Sequence, residues 1–298
     1  MTEKYDQKIP LKQALSWIIF SILLISGSAA LSLIYFRHVK EMHMQDDAYR
    51  VVGIIQTTTN KEALNTVYLA ELLDLSLNRP TNLYKFSCKE AQRKLKTSPL
   101  IKEAVVKKVR PGIVYIDYQM RYPIAYLIDY DNAAIDLEGV PFPVYPFFTP
   151  KKLPEVHLGL ANGEASSEND HAWGIPIKGK NVALALEVLE HLATSSPVTT
   201  VIKRIDVASA YAPSCGQRQI IVILEELITR EEKGKIATHL FPRILRLSTE
   251  EYKQGIANYH RIQEHLVKED FPASTTAVMT HQPLFIDLRL PNLAFMNN

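Results

Sequence analysis

One apolar run near the N-terminus constrains the fold of this 298-residue chain more than any other feature of its sequence. Residues 15–36 read LSWIIFSILLISGSAALSLIYF and include no charged side chain. A helix of this length reaches about 33 Å, which is enough to cross a hydrocarbon core of about 30 Å. The run therefore predicts a single membrane-spanning helix at 15–36, preceded by a short head at 1–14 and followed by a linker at 37–48.

Side chains suited to a membrane–water interface lie at both ends of this helix. Trp17 is near its start, and Tyr35 and Arg37 are at its end, where amphipathic rings and long cationic side chains are favoured. A cleaved signal peptide is the alternative, with the small residues 28–30 as its cleavage site, but the apolar run continues to Phe36. We predict an uncleaved anchor with a cytoplasmic head, because an N-terminal span usually leaves a short head inside.

The composition and the lack of reactive motifs argue against nucleic-acid binding, metal binding and catalysis. A formal net charge of +2 is too small for a surface dedicated to neutralising phosphates. Cys88 and Cys215 are far apart and in no metal-binding spacing, so they are predicted to pack as unpaired thiols. His260 and His265 are five residues apart, whereas the HExxH zinc motif places its histidines four apart. The sequence therefore predicts no catalytic residue, no metal and no cofactor.

The block after the linker carries the signals of a small α+β unit in the order strand, helix, helix, strand, strand. Ser87 and Glu90 have the S-x-x-E spacing of a capping box, and Pro111-Gly112 between two β-branched runs indicates a tight turn. The predicted elements are a strand at 49–55, a helix at 67–75 that Asn65-Thr66 precedes, a helix that runs to residue 95, and strands at 104–109 and 113–120. Alternation in the last strand gives a core face formed by Val114, Ile116, Tyr118 and Met120.

The remaining chain alternates helical and strand patterns, which predicts a larger α+β unit. Asn181 is predicted to cap a helix that ends at residue 192, and Ser248 with Glu251 forms a second capping box. The helix after that box has a predicted core face formed by Tyr252, Ile256, Tyr259 and Leu266. The predicted strands are 153–159, 201–207, 220–224, 243–247 and 284–290. Residues 161–174 are predicted to form a solvated loop.

The last predicted strand has one apolar and one mixed face. Alternation places Leu284, Ile286, Leu288 and Leu290 toward the core and leaves residues 285, 287 and 289 facing outward. No later strand is predicted, so the edge of this strand should remain open, with unpaired N–H and C=O groups that a partner strand could satisfy. An ordinary edge strand that closes the sheet is the alternative.

Several short motifs follow one another in a fixed order through both blocks. They are Pro99, Lys107-Lys108, Arg110-Pro111, RYPIA at 121–125, DLEG at 136–139 and DLR at 287–289. In this order, and together with the anchor, they resemble the FtsQ/DivIB family of bitopic bacterial cell-division proteins. Two positions depart from the family pattern, because Arg121 stands where an acidic residue is usual and Val109 stands where Trp is common.

The resemblance implies a fold and a function. The fold is α+β, with a POTRA domain at 49–123 and a larger β-domain at 124–298. The function is that of a non-catalytic scaffold that recruits and links cell-division proteins at the septum. Its location would be the bacterial inner membrane, with both domains in the periplasm. Its partners would be FtsB-like and FtsL-like bitopic coiled-coil proteins, other division proteins and inner-membrane lipid.

The resemblance also implies two contact regions. In the POTRA domain, the residues that correspond by position to the family's region for recruitment by other division proteins are Glu103, Val106 and Lys108. In the C-terminal strand and the residues after it, the implied partner-binding residues are Phe285, Asp287, Arg289, Leu290, Asn292 and Ala294. Pro291 cannot donate to a strand ladder, so pairing is expected to stop there.

Three other interpretations stay open. The basic residues Lys102, Lys107, Lys108 and Arg110 could form a solvated strand face and not a docking surface. A POTRA-bearing outer-membrane assembly or secretion factor would end in a barrel of alternating strands, and the helical signals at 181–192 and 249–266 argue against it. A membrane-anchored cell-wall enzyme is the third, although no catalytic motif supports it.

Overall fold

A computed structural model describes residues 11–76, 78–160, 173–197, 199–232, 235–266 and 278–297. The helices are α1 (Leu11–Gln45), α2 (Thr66–Leu72), α3 (Cys88–Thr97), α4 (Lys180–Ser195) and α5 (Tyr252–Leu266). The strands are β1 (Gly53–Thr58), β2 (Ile101–Val109), β3 (Ile113–Met120), β4 (Ala125–Leu127), β5 (Ala133–Ile135), β6 (Pro141–Pro143), β7 (Glu155–His157), β8 (Thr200–Asp206), β9 (Ile220–Glu232), β10 (Lys235–Leu247), β11 (Val278–Thr280), β12 (Leu284–Leu288) and β13 (Phe295–Asn297). The chain is therefore mixed α+β, as predicted. Most of the predicted head and most of the 161–174 loop lie outside the described residues.

Helix α1 is 35 residues long and confirms the prediction of one N-terminal helix long and apolar enough to cross a membrane. Within the described part of the chain, the side chains of its apolar window are not buried. The helix continues to Gln45, nine residues beyond the predicted span, so residues 37–45 are helical and not the linker that was predicted. The segment VKEMHMQ explains the difference, because its Lys, Glu, Met and Gln residues have good intrinsic helix propensity.

The structure divides into two compact units. The smaller unit consists of Met1–Thr58, Ala63–Leu95 and Ala104–Tyr118, and the larger consists of Thr59–Glu62, Lys96–Glu103 and Gln119–Asn298. The chain therefore passes from one unit to the other more than once, whereas the sequence predicts one boundary near residue 123.

The smaller unit has the predicted order of strand, helix, helix, strand, strand. Its sheet has the strand order β1-β3-β2, and β1 runs parallel to β3 with Gly53 opposite Ile113. The Asn65 side chain accepts a hydrogen bond from the N–H of Val67 at 2.9 Å and so caps α2, and the Ser87 hydroxyl accepts from the N–H of Glu90 at 3.3 Å at the start of α3. The predicted core face of β3 is confirmed, since Val114, Ile116, Tyr118 and Met120 are all buried.

The larger unit is built on a sheet with the strand order β13-β12-β10-β9-β8-β7-β4-β5-β6, in which β11 also pairs with β10. Strands β9 and β10 are 13 residues each and form a long antiparallel hairpin. Helix α4 packs on β8, α5 packs on β10 and β12, and the two helices contact each other, so both cover the same face. The core beneath them includes Val188, Leu192, Leu224, Leu245 and Tyr259.

Two local predictions in the larger unit had different outcomes. The Ser248 hydroxyl accepts hydrogen bonds from the N–H groups of Glu250 and Glu251, so the predicted cap before α5 is confirmed. Asn181 does not cap α4, because Gly179 occupies the cap position. The Asn181 amide instead donates to the carbonyl of Leu158 at 2.7 Å and ties the first turn of α4 to the chain after β7.

The DLEG motif forms a turn held by its own carboxylate. Asp136 Oδ1 accepts hydrogen bonds from the N–H groups of Glu138 and Val140, each at 2.9 Å, and Gly139 has a φ of +75° that glycine adopts without strain. The second oxygen of Asp136 lies 2.7 Å from Nη1 of Arg121. Arg121 therefore serves as the counter-charge of the turn.

Candidate functional site

Strand β12 confirms the predicted alternation as far as Leu288, but the predicted core position of Leu290 is wrong, because the strand ends at Leu288 and Leu290 is 52% exposed. Leu284, Ile286 and Leu288 are buried, while Phe285 and Asp287 are partly exposed on the opposite face. On one side β12 runs parallel to β10, with Ile286 opposite Leu245. The sheet therefore fixes both the register of β12 and the direction in which its outward side chains point.

The predicted open edge of β12 is wrong. The chain turns back after Leu290, where Asn292 adopts a φ of +61°, and β13 pairs antiparallel with β12. Asp287 lies opposite Phe295, and Phe285 lies opposite Asn297. Every residue of β13 is exposed, so this strand covers the backbone of β12 with little side-chain packing of its own. Among the described strands, β13 therefore forms this edge of the sheet.

Arg289 is held by neighbours within the larger unit. Its Nε lies 3.0 Å from Asp287 Oδ1 and its Nη2 lies 3.0 Å from Oδ2, which is the two-pronged geometry that arginine and carboxylate favour. Its Nη1 donates to the carbonyl of Gly216 at 2.9 Å. Burial acts to raise the pKa of Asp287, but the hydrogen bonds and charge of Arg289, aided by Arg246, outweigh burial and hold that pKa below its usual value.

A groove of about 650 Å³ opens beside this ion pair. Asp287, Arg289, Leu290 and Phe295 form one side of it. The other side is formed by residues 215, 216, 218 and 248–250. The groove combines exposed apolar surface with a fixed cation and several polar groups, which suits recognition of a peptide segment.

The predicted partner-binding residues divide into two groups in the structure. Asp287, Arg289 and Leu290 line the groove, and Phe285 lies on the same strand. Asn292 and Ala294 belong to the turn and the chain that lead into β13, and both are exposed. The wall at 215–218 has no local signal in the sequence, because the proximity of that loop to β12 depends on long-range pairing.

The predicted recruitment residues lie on β2, an edge strand of the three-stranded sheet. Glu103 and Lys108 are exposed, as that role requires. Val106 is only 4% exposed and belongs to the core, so its assignment as a contact residue is wrong. Val105, which is 45% exposed, is the apolar side chain that this strand presents to solvent.

The predicted membrane-interface residues Trp17, Tyr35 and Arg37 are all exposed on α1. Their spacing is consistent with the two ends of the apolar window. Neither cysteine is in a disulfide, and Cys88 is half-buried while Cys215 is exposed in the groove. Among the described residues no group of three or more His, Cys, Asp or Glu side chains could hold a metal ion.

Comparison with known proteins gives no further information. No protein-family model matches the sequence, and no curated protein matches it.

Proposed function

We propose that this chain is a non-catalytic, membrane-anchored scaffold of the bacterial cell-division machinery, of the FtsQ/DivIB type. One observation carries the proposal. A helix of membrane-spanning length continues directly into a unit with the order strand, helix, helix, strand, strand. A unit with a larger sheet follows, and the last strands of the chain belong to that sheet. This is the architecture implied by the ordered motifs of the sequence.

The smaller unit would act as a POTRA domain and the larger as the β-domain. The sheet order β1-β3-β2 leaves β2 at one edge, where its N–H and C=O groups can pair with another chain. Recruitment by division proteins would then use Glu103 and Lys108 with the exposed Val105, and not Val106.

The C-terminal strands would receive an FtsB-like partner, with an FtsL-like protein bound alongside it. Because β13 already pairs with β12, the partner strand would displace β13 or add to its outer edge. Displacement is the better candidate, because β13 has only three residues whereas β12 has five. Arg289 and Leu290 in the groove would then contact partner side chains.

A fluorescent fusion at the N-terminus tests the proposal in the native bacterium. The full chain should collect at division sites, with its head in the cytoplasm and both units in the periplasm. A matched variant truncated after Gln45 keeps the whole of α1 and should spread evenly around the envelope. An even distribution of the full chain would overturn the scaffold function, and hydrolysis of peptidoglycan by the purified chain would favour an enzyme instead.

A further inference from the structure

The end of α1 is joined firmly to the smaller unit. The side-chain amide of Asn82 donates to the carbonyl of His43 at 2.9 Å and to that of Asp46 at 3.2 Å, so it satisfies one carbonyl in the last turn of α1 and one just after the helix. Backbone bonds continue this junction, since Leu83 N–H donates to the Tyr49 carbonyl at 2.7 Å. These hydrogen bonds attach the end of α1 directly to the smaller unit.

An aromatic cluster surrounds the same junction. The rings of His43, Tyr49 and Tyr84 contact one another, with centroids 4.7 to 5.0 Å apart. The guanidinium of Arg110 lies over the Tyr84 ring, 5.6 Å from its centroid. Arg110 at the β2–β3 turn is thus fixed beside the last turn of α1.

The distance from this cluster to the apolar window is short. His43 follows Phe36 by seven residues, which is a rise of about 10 Å along the helix. The polar headgroup layer extends roughly 5–8 Å beyond the hydrocarbon on each side. Long Arg and Lys side chains beside the helix end can therefore reach the phosphates of the lipid, while their carbon stems cover apolar surface.

The exposed charges near the C-terminal end of α1 favour contact with an anionic surface. We define the helix-end surface as the exposed cations Arg37, Lys40, Lys85 and Arg110. None of these four forms an ion pair within the described residues. Of the nearby acidic side chains, Asp47 is neutralised by Arg50 at 2.5 Å, and the exposed Glu41 and Asp46 leave the four cations in excess. Two exposed valines accompany the cations: Val52, which is 74% exposed, and Val109, beside Arg110. Cations interspersed with apolar side chains are typical of surfaces that sit at a lipid interface.

We propose that the helix-end surface binds the headgroups of anionic phospholipids and so holds the smaller unit down on the bilayer. This inference rests on the proposed membrane anchoring. It adds that the unit docks on the lipid surface in one orientation, which would leave the β2 edge in a defined position for recruitment.

The test uses the full chain in lipid nanodiscs, with Cys88 and Cys215 replaced by serine and a spin label attached at Val109→Cys. Nickel-chelating lipid headgroups relax a label that lies near the bilayer surface. Relaxation should be stronger in discs that contain phosphatidylglycerol than in discs of phosphatidylcholine alone, and high salt should reduce the difference. Loss of one cation, by Lys85→Gln or Arg110→Gln, should lower the equilibrium constant for docking about fivefold, the equivalent of about 1 kcal/mol per charge.

Arg93→Gln is the matched control, because Arg93 is an exposed arginine of the same unit on α3 and should leave the relaxation unchanged. Equal relaxation in both lipids, or no effect of Lys85→Gln and Arg110→Gln, would overturn the headgroup contact while leaving the anchor intact. Failure of the chain to enter the nanodiscs would overturn the proposed anchoring and, with it, this inference.

Discussion

Glu226 on β9 and Arg243 on β10 form an ion pair of 3.0 Å in the interior of the larger unit, where they are only 1% and 5% exposed. Tyr259 of α5 donates its hydroxyl to the same carboxylate. Burial and the charge of Glu226 raise the pKa of Tyr259, so the phenol stays protonated and remains a donor. The three groups therefore tie α5 to the β9–β10 hairpin through a buried network whose members satisfy one another.

Arg243→Met should lower the free energy of unfolding of the larger unit by about 3–5 kcal/mol, because it leaves the Glu226 carboxylate buried without a counter-charge. Adding Glu226→Gln to that variant should recover part of the loss, since no unpaired charge then remains and Tyr259 keeps its acceptor. Denaturant unfolding can be followed through Trp173, which packs against this core, in a Trp17→Phe background. A double variant as unstable as Arg243→Met alone would contradict the ion-pair explanation.

We expect the smaller unit to require glycine at Gly112, because another part of the backbone lies very close to it. A Cβ at this position would lie 2.1 Å from the carbonyl oxygen of Arg50, and Gly112 is not among the glycines with a positive φ. Gly112→Ala should therefore destabilise the smaller unit by roughly 1–3 kcal/mol, measured as a shift in its thermal melt. Gly53→Ala is the control, because no heavy atom outside its chain neighbours lies within 4 Å of its added Cβ. Equal melting of the two variants would show that the contact with Arg50 relaxes freely.

Val105 and Val106 should respond oppositely to the same change. Val106→Glu places a carboxylate in the core, which costs several kcal/mol and should unfold the smaller unit. Val105→Glu keeps the fold, because the side chain already faces solvent, and should weaken recruitment to division sites if β2 is the contact strand. Circular dichroism melts and localisation of the fluorescent fusion separate the two effects. A stable, fully localised Val105→Glu variant would count against recruitment through this strand.

The two valines also mark the limit of prediction from the sequence. In β3 a single alternation fixes the core face, and the prediction is correct. In β2 the buried positions are Ile101, Ala104 and Val106, so the alternation changes phase within the strand, and the adjacent apolar pair leaves the choice of face open. Which valine is buried depends on packing against the rest of the unit, and no local pattern encodes that packing.

The long hairpin and the end of the chain show the same limit. The strands predicted at 220–224 and 243–247 lie within β9 and β10, so they are correct but too short. Polar residues such as Glu226 and Thr238 interrupt the apolar runs, so the sequence pattern does not show the full length of either strand. Their extension depends on cross-strand pairing, in which Thr238 faces Thr229. Strand β13 was missed because its three exposed residues have no alternation, and only its pairing with β12 defines it. The alternation in β12 did identify Asp287 and Arg289 as outward-facing, and in the structure they line the groove.

Acid should weaken the C-terminal region through Asp287. Its folded-state pKa lies below the unfolded value, so the carboxylate contributes stability that is present above the unfolded pKa and is lost as the pH falls through the folded pKa. Between about pH 5 and pH 3 the native chain should therefore lose more stability than Asp287→Asn, which does not titrate. Urea unfolding at several pH values measures the difference. Asp131→Asn, which changes an exposed carboxylate of the same unit, should keep the pH profile of the native chain.

Removal of β13 should increase binding of an FtsB-like peptide. Truncation after Ala294 frees the N–H and C=O groups of β12 that now pair with residues 295–297, so an incoming strand no longer has to displace them. We expect a gain of roughly threefold to tenfold in affinity, or about 1 kcal/mol. Met296→Thr is the control, because it changes an exposed side chain of β13 that does not line the groove, keeps the β13 backbone and should alter affinity little.

Two further variants complete this test of the C-terminal strand. Arg289→Glu reverses the charge beside the groove and breaks the bonds to Asp287 and Gly216, so it should reduce peptide capture in both the full-length and the truncated chain. Truncation after Pro283 removes β12 itself and should abolish capture. Affinities are measured by titrating a labelled peptide into variants whose folding has been checked by circular dichroism. Unchanged capture by folded Arg289→Glu and by both truncations would mean that the partner does not bind here, because no backbone or side-chain group of the proposed site would then contribute.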